Sequence, residues 1–140
     1  MSDALSAAMK VAASGIDAQA IRLRTVAENI ANARSTATDA DGDPYRRKTV
    51  TFEATLDRLS GTAIVGEPRI GETRGPFRTE HDPHNPAADA AGNVKVPDVD
   101  VLVEMADMRE ANRSYEANLQ VMGQVRDMIR STIDLMRGTR

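Results

Sequence analysis

Residues 99–136 read VDVLVEMADMREANRSYEANLQVMGQVRDMIRSTIDLM. Apolar side chains recur here alternately four and three apart: Val101, Met105, Met108, Tyr115, Leu119, Met122, Ile129, Ile133 and Met136. Asn112 and Arg126 occupy the two slots that break the series. No proline follows Pro97, so nothing forces a kink. The spacing predicts one helix over residues 99–137 that packs along another helix. At ~1.5 Å per residue such a helix reaches roughly 55 Å, too long for an ordinary small globule. Something else has to cover its apolar stripe.

The other end of the chain supplies a first partner. Leu5, Met9, Ala12, Ile16, Leu23, Val26 and Ile30 keep the same alternation, with Gln19 as the one polar slot. A second helix is predicted over residues 3–33. The expected fold is mainly α: two long N- and C-terminal helices, antiparallel and paired like a coiled coil, around a small irregular or β-hairpin middle. In domain terms, residues 1–33 and 99–140 form the helical core and 34–98 an outward region. Aromatics are 3% of the chain and tryptophan is absent, which leaves few large side chains for a compact core. Two helices that bury one stripe each are marginal alone. Composition therefore points to a subunit stabilised by neighbouring copies.

A formal net charge of −3 and a pI near 5.4 provide no basic footprint, which argues against nucleic acid and anionic membrane as partners. Cysteine is absent, which fits life outside the cytoplasm without disulfides and many cytosolic proteins equally. No stretch is apolar for long enough to span a membrane. Residues 4–16 are Ala-rich and amphipathic, without the charged-then-apolar pattern of a cleaved signal peptide.

Taken in order, Ser2 or Asp3 is placed to cap the first helix. Gly15 lies inside the periodic region and admits two readings: close approach of a neighbouring helix, or a tolerated glycine costing ~1 kcal/mol against alanine. Asn32 is expected to end the helix in the left-handed conformation. Residues 34–98 differ in kind, holding all the prolines. Asp39–Pro44 is a turn or loop. Tyr45–Leu56 reads as a strand, with shorter ones around Ala63–Val65, Arg69–Ile70, Phe77–Arg78 and Val94–Val96. His81–Asn93 is loop, and Asp98 or Asp100 caps the long helix.

No catalytic constellation emerges. Asp39, Asp41 and Asp43 suggest a calcium loop, but the sixth position is Pro44 and the twelfth is Val50, where glycine and glutamate are required. His81, Asp82, His84 and Asp89 fit no standard metal spacing. There is no nucleophile elbow and no phosphate-cradling glycine loop. Glu104 and Asp107 read as a charged flank beside Met105 and Met108. No enzyme activity and no cofactor is expected.

Two segments go beyond generic patterning. The first is Asn29-Ile30-Ala31-Asn32, followed by Thr36 or Thr38 and then Pro44-Tyr45-Arg46-Arg47. The second is Pro97-x-Val99, Glu104-Met105-x-x-Met108, and Ala111-x-Arg113-x-Tyr115-Glu116-Ala117-Asn118. Together they resemble the bacterial flagellar rod and hook family. The short middle resembles the proximal-rod members through Asp82-Pro83, Pro86, Ala88-Asp89, Gly92 and Val94, although Asn85 stands where the family has a histidine. The glycine-rich stretch 61–76 matches poorly.

The resemblance implies a structural subunit of the hollow drive shaft, self-assembling through its terminal helices. It implies partners in other copies of the chain, other rod proteins, and the export apparatus where the rod meets the MS ring. It also implies a basal-body, periplasmic location reached by flagellar type III export without a cleaved signal.

The residues expected to carry assembly are Leu5, Met9, Ile16, Leu23 and Ile30 on the first helix. On the second they are Met105, Met108, Tyr115, Leu119, Met122, Val125, Ile129 and Ile133. Val121 and Val125 widen the second stripe beyond what one partner helix covers, so that excess is expected to face neighbouring subunits. Asn29, Asn32 and Asn112 are placed to fix register or, alternatively, to cap or face solvent. Tyr115 is expected in the seam, its hydroxyl reaching Arg113, Asn118 or a neighbour. The competing readings are a soluble helical adaptor that binds one partner through its Met-rich stripe, and a different subunit of the same family.

Overall fold

The computed structural model describes residues 2–138. Helix α1 spans Ser2–Ala31 and α2 spans Val101–Gly138. Between them lie six four-residue strands: β1 (Lys48–Thr51), β2 (Ala54–Asp57), β3 (Thr62–Val65), β4 (Arg69–Glu72), β5 (Arg78–His81) and β6 (Asn93–Val96). They form three two-stranded sheets, pairing β1 with β4, β2 with β3 and β5 with β6. The β2–β3 and β5–β6 pairs are antiparallel. The two terminal helices and the small strand region between them match the expected architecture.

The start and end of each helix have local causes. Asp3 sits in the first turn of α1, where its charge meets the positive end of the helix dipole. The side chain of Ser2, the other proposed cap, lies outside the described residues. The Asp100 carboxylate accepts the Leu102 and Val103 backbone N–H groups at 2.9 and 3.3 Å, the geometry of an N-cap. At the far end of α1, Asn32 donates its backbone N–H and its side-chain amide to the Glu28 carbonyl, at 3.0 and 2.9 Å. No non-glycine residue among those described has positive φ, so the left-handed cap expected at Asn32 does not form. Its side chain occupies the carbonyl that such a cap would have satisfied.

The chain divides into two compact units, each drawing on both helices. The first comprises Met1–Arg22, Phe52–Arg69 and Glu110–Arg140. Its buried residues are small: Ala12, Gly15, Ala18 and Ala111, with Val125. The β2–β3 hairpin is fastened to α1 at both of its ends. Lys10 Nζ reaches Asp57 Oδ2 at 2.8 Å, and Val65 N–H donates to Ser14 Oγ at 3.2 Å. The turn closes on Asp57, which accepts from Ser60 Oγ at 2.6 Å and Leu59 N–H at 3.2 Å. Gly61 supplies the positive φ of 64° that the turn needs.

The second unit comprises Leu23–Thr51 and Ile70–Arg109. Its apolar core is Val26, Ala87, Val94, Val96, Pro97 and Val99. With little aromatic content available, Phe77 is used as a platform. The Arg46 guanidinium lies 4.2 Å from its ring centroid. Arg46 also donates to the Thr73 and Gly75 carbonyls at 3.4 and 3.3 Å. In the loop before β6, Asp89 accepts the Ala91 and Asn93 backbone N–H groups at 2.9 and 2.8 Å. Those amides, Asn93 foremost, hold its carboxyl below the usual range.

Tyr45–Leu56 is not one strand. Pairing stops after Thr51, and the chain re-enters a different sheet at Ala54. Glu53 breaks the run, because its carbonyl is taken by the Gly66 N–H at 2.8 Å as the hairpin begins. The side chain of Thr55 lies where a Cβ on Gly66 would stand, so the crossing needs glycine there.

Candidate assembly interface

Packing decides which face of each helix is covered. On α2 the most buried line is Glu104, Ala111 and Val125, seven or fourteen residues apart, with half-buried Asn118 in the remaining slot. Beside it run Met108, Tyr115, Met122 and Ile129, all half-buried. These four belong to the expected seam. The other expected line does not: Met105, Leu119 and Ile133 are 44%, 45% and 40% exposed. The covered stripe is rotated by half a residue step, on the order of 50°, from the most apolar one. On α1 the expected seam residues Leu5, Met9, Ile16, Leu23 and Ile30 are all half-buried, while Ala12, Gly15 and Ala18 lie innermost in the first unit.

The cause is close approach. An alanine Cβ at Gly15 would stand 2.7 Å from Asn118 Nδ2 and 3.0 Å from its Cγ. Small residues therefore line the contact in this unit, and the bulkier side chains stand to either side. Val125 is buried within the single chain, at 6% exposure. It is part of the subunit's own packing and not the surplus expected to face a neighbour. The exposed apolar side chains nearby on the same helix are Val121 and Met128, with Leu119 and Ile133.

The second unit is held by a polar node that uses every hydrogen-bonding atom of one side-chain amide. Asn29 is 1% exposed. Its Nδ2 donates to the Lys48 carbonyl at 2.9 Å and to Glu104 Oε2 at 3.0 Å. Its Oδ1 accepts from the Tyr45 hydroxyl at 2.8 Å and the Lys48 N–H at 2.9 Å. Glu104, also 1% exposed, takes Arg47 on its other oxygen, Nε at 2.7 Å and Nη2 at 2.6 Å. Burial pushes the Tyr45 phenol above its ordinary value of 10.0, which keeps the proton that it donates. Outside the node, Lys48 Nζ pairs with Glu28 at 2.8 Å, and that bond raises the ammonium above its usual value.

Asn29 and Tyr45 were legible as motif residues, and the structure brings them together. Glu104 was misread as a charged flank; it is the most buried charge of the second unit's core. The available signal was the pairing of Arg47 in one motif with Glu104 in the other. Of the remaining motif residues, Ala31, Arg113, Glu116 and Ala117 are exposed, Asn32 and Tyr115 half-buried, and Asn118 faces Gly15. Asn112 is exposed in the single chain. His81 stands 3.4 Å from Asn93 Oδ1, and no cluster of three or more metal-ligating side chains occurs among the described residues. No described helix is long and apolar enough to cross a membrane.

Comparison with known proteins agrees with the two motif segments. Residues 9–37 match the family described as flagella basal body rod protein, and residues 90–135 match the C-terminal family of flagellar basal body rod FlgEFG proteins. A flagellar basal-body rod protein FlgC from Agrobacterium fabrum is 60% identical over 137 residues, covering 98% of this chain and 99% of the relative. The FlgC of Salmonella typhimurium is 41% identical over 125 residues, 89% of this chain and 92% of the relative. That of Aquifex aeolicus is 38% identical over 128 residues, 91% and 93% respectively. With identity spread over nearly the whole length of chains of matching size, the chain belongs to the FlgC family of flagellar basal-body rod proteins.

Proposed function

We propose that the chain is a non-enzymatic structural subunit of the proximal part of the flagellar rod. It assembles with other copies of itself and with other rod proteins. Its two terminal helices, α1 and α2, pair antiparallel in a coiled-coil-like core that lines a hollow shaft, and the middle region between them faces outward. The subunit reaches the periplasm through the flagellar export apparatus without a cleaved signal, and the rod it joins meets the MS ring. Family membership supports the rod assignment. Antiparallel pairing is supported by two contacts, Gly15 with Asn118 in one unit and Asn29 with Glu104 in the other. As position rises along α1, the partner's position falls along α2, and both pairs have the same sum.

The observation that carries assembly is the apolar face that α2 leaves open. Leu119, Val121 and Met128 are exposed in the single chain. These side chains are about half covered already, so sealing each one against a neighbour contributes on the order of 1 kcal/mol, and the contribution recurs in every copy. A soluble adaptor would also use such a stripe, but nothing in its chemistry calls for the family's full-length match. The test is complementation of a null strain with Met128→Asp and Leu119→Asp. Both positions are solvent-facing in the free subunit, so its helix content should not change. Export to the medium should persist while swimming is lost. Normal swimming with both variants would overturn the assignment of this face to subunit contacts.

A further inference from the structure

A four-three apolar pattern repeats every seven residues, and that repetition leaves a helix pair with a problem. Sliding one helix past the other by seven residues places Met108, Met122, Ile129 and their kind onto equivalent positions. Apolar burial alone barely distinguishes the two registers. Some feature that occurs once has to choose between them. In the second unit one group of contacts among the described residues has that property. Glu104 occupies the innermost line of α2, where the equivalent positions are Ala111, Asn118 and Val125. It is the only ionisable residue on that line.

We infer that Glu104, held between Asn29 and Arg47, is a register pin that positions α2 along α1 and makes the correct register depend on the docking of the 45–48 segment. This rests on the antiparallel pairing proposed above and extends it to a named device. In the native register Asn29 satisfies two donors and two acceptors, and Glu104 receives both Asn29 and Arg47. A seven-residue slip puts Ala111 opposite Asn29, or carries Glu104 away to face Arg22. Either way the Asn29 amide loses a buried acceptor, and Arg47 loses its carboxylate. A buried polar group stripped of its partners is far more costly than a small change in apolar contact. Placing a buried polar residue to specify register is a well-attested use of such groups. Arg47 and Tyr45 come from the segment just beyond α1, so an unlatched segment also releases the pin. The charged groups meeting at the node are Glu104 and Arg47; the Lys48 ammonium is engaged by Glu28 instead.

The experiment reads register directly. The chain has no cysteine, so paired labels are clean. Arg24 and Arg109 are exposed on α1 and α2 of this unit. Spin labels on Arg24→Cys and Arg109→Cys, measured by double electron–electron resonance, should yield one short distance in the otherwise wild-type chain. Glu104→Leu should yield a second population offset by about 10 Å along the helix axis, seven residues at ~1.5 Å each, with helix content by circular dichroism retained. Glu104→Gln keeps the shape and an acceptor for Asn29, and should keep the single distance. A single unshifted distance in Glu104→Leu overturns the inference. So does loss of helix in Glu104→Leu while Glu104→Gln stays folded, because the residue then supports stability and not register. A wild-type distance that requires an axial offset of about 15 Å between the labels, ten residues of rise, would mean parallel helices. That result removes the antiparallel reading, and the pin with it.

Discussion

Replacing Gly15 with alanine should destabilise this protein, although alanine is the better helix former by ~1 kcal/mol. The new Cβ would lie 2.7 Å from Asn118 Nδ2, 3.0 Å from Cγ and 3.1 Å from Oδ1. Real Cβ atoms do not approach that closely, so α1 or the Asn118 side chain must move. Forcing a methyl into a filled contact costs ~1–3 kcal/mol. The intrinsic gain offsets part of that, leaving a net loss of about 1 kcal/mol. The obstruction is one side chain, so removing it should reverse the sign. In an Asn118→Ala background, Gly15→Ala should gain about 1 kcal/mol, a coupling of about 2 kcal/mol between the two sites. Urea denaturation of the four chains, followed by circular dichroism, measures the cycle through the midpoints at constant slope. If Gly15→Ala stabilises the wild-type background by the full helix-propensity increment, the close contact does not exist and Gly15 is a tolerated residue.

Two further outcomes follow from the packing of the first unit. Val125→Asp places an uncompensated charge at a buried position and should cost several kcal/mol; the variant should lose helix and be degraded before export, and a stable, secreted, fully helical variant would refute the burial of Val125. Lys10 and Ser60 hold the Asp57 carboxyl well below its ordinary value of 3.8, Lys10 contributing most. A lowered folded-state pKa stabilises above the unfolded value and loses that contribution as pH falls through and below it. Hydrogen exchange of the β2–β3 amides should therefore accelerate as pH drops below about 3.8, after correction for intrinsic rates, and the acceleration should shrink in Asp57→Asn. An identical pH profile in both chains would show that the Asp57 contacts do not hold the hairpin.

Much of the architecture follows from patterns that are local in the chain. Helix boundaries, the Asp100 cap, the loop before β6 and the short strands are set by periodicity, turn residues and capping chemistry, all of which act within a few residues. The two family motifs lie in contiguous segments, so membership was legible too. The selection of the covered helix face was not. Hydrophobicity favoured Met105, Leu119 and Ile133, but the contact is governed by how closely the backbones approach, and Gly15 allows an approach that places Ala12, Ala18 and Ala111 innermost. Exposure of the larger side chains is then a consequence of tertiary geometry, and it leaves them available for other subunits. Glu104 was misread for a related reason. A carboxylate beside an apolar stripe looks solvated until its partners are known, and those partners, Asn29 and Arg47, are 75 and 57 residues away in sequence. Sequence determined which segments are helices and which protein family they serve. The fold alone decided which faces meet, because burial depends on contacts that no local pattern contains.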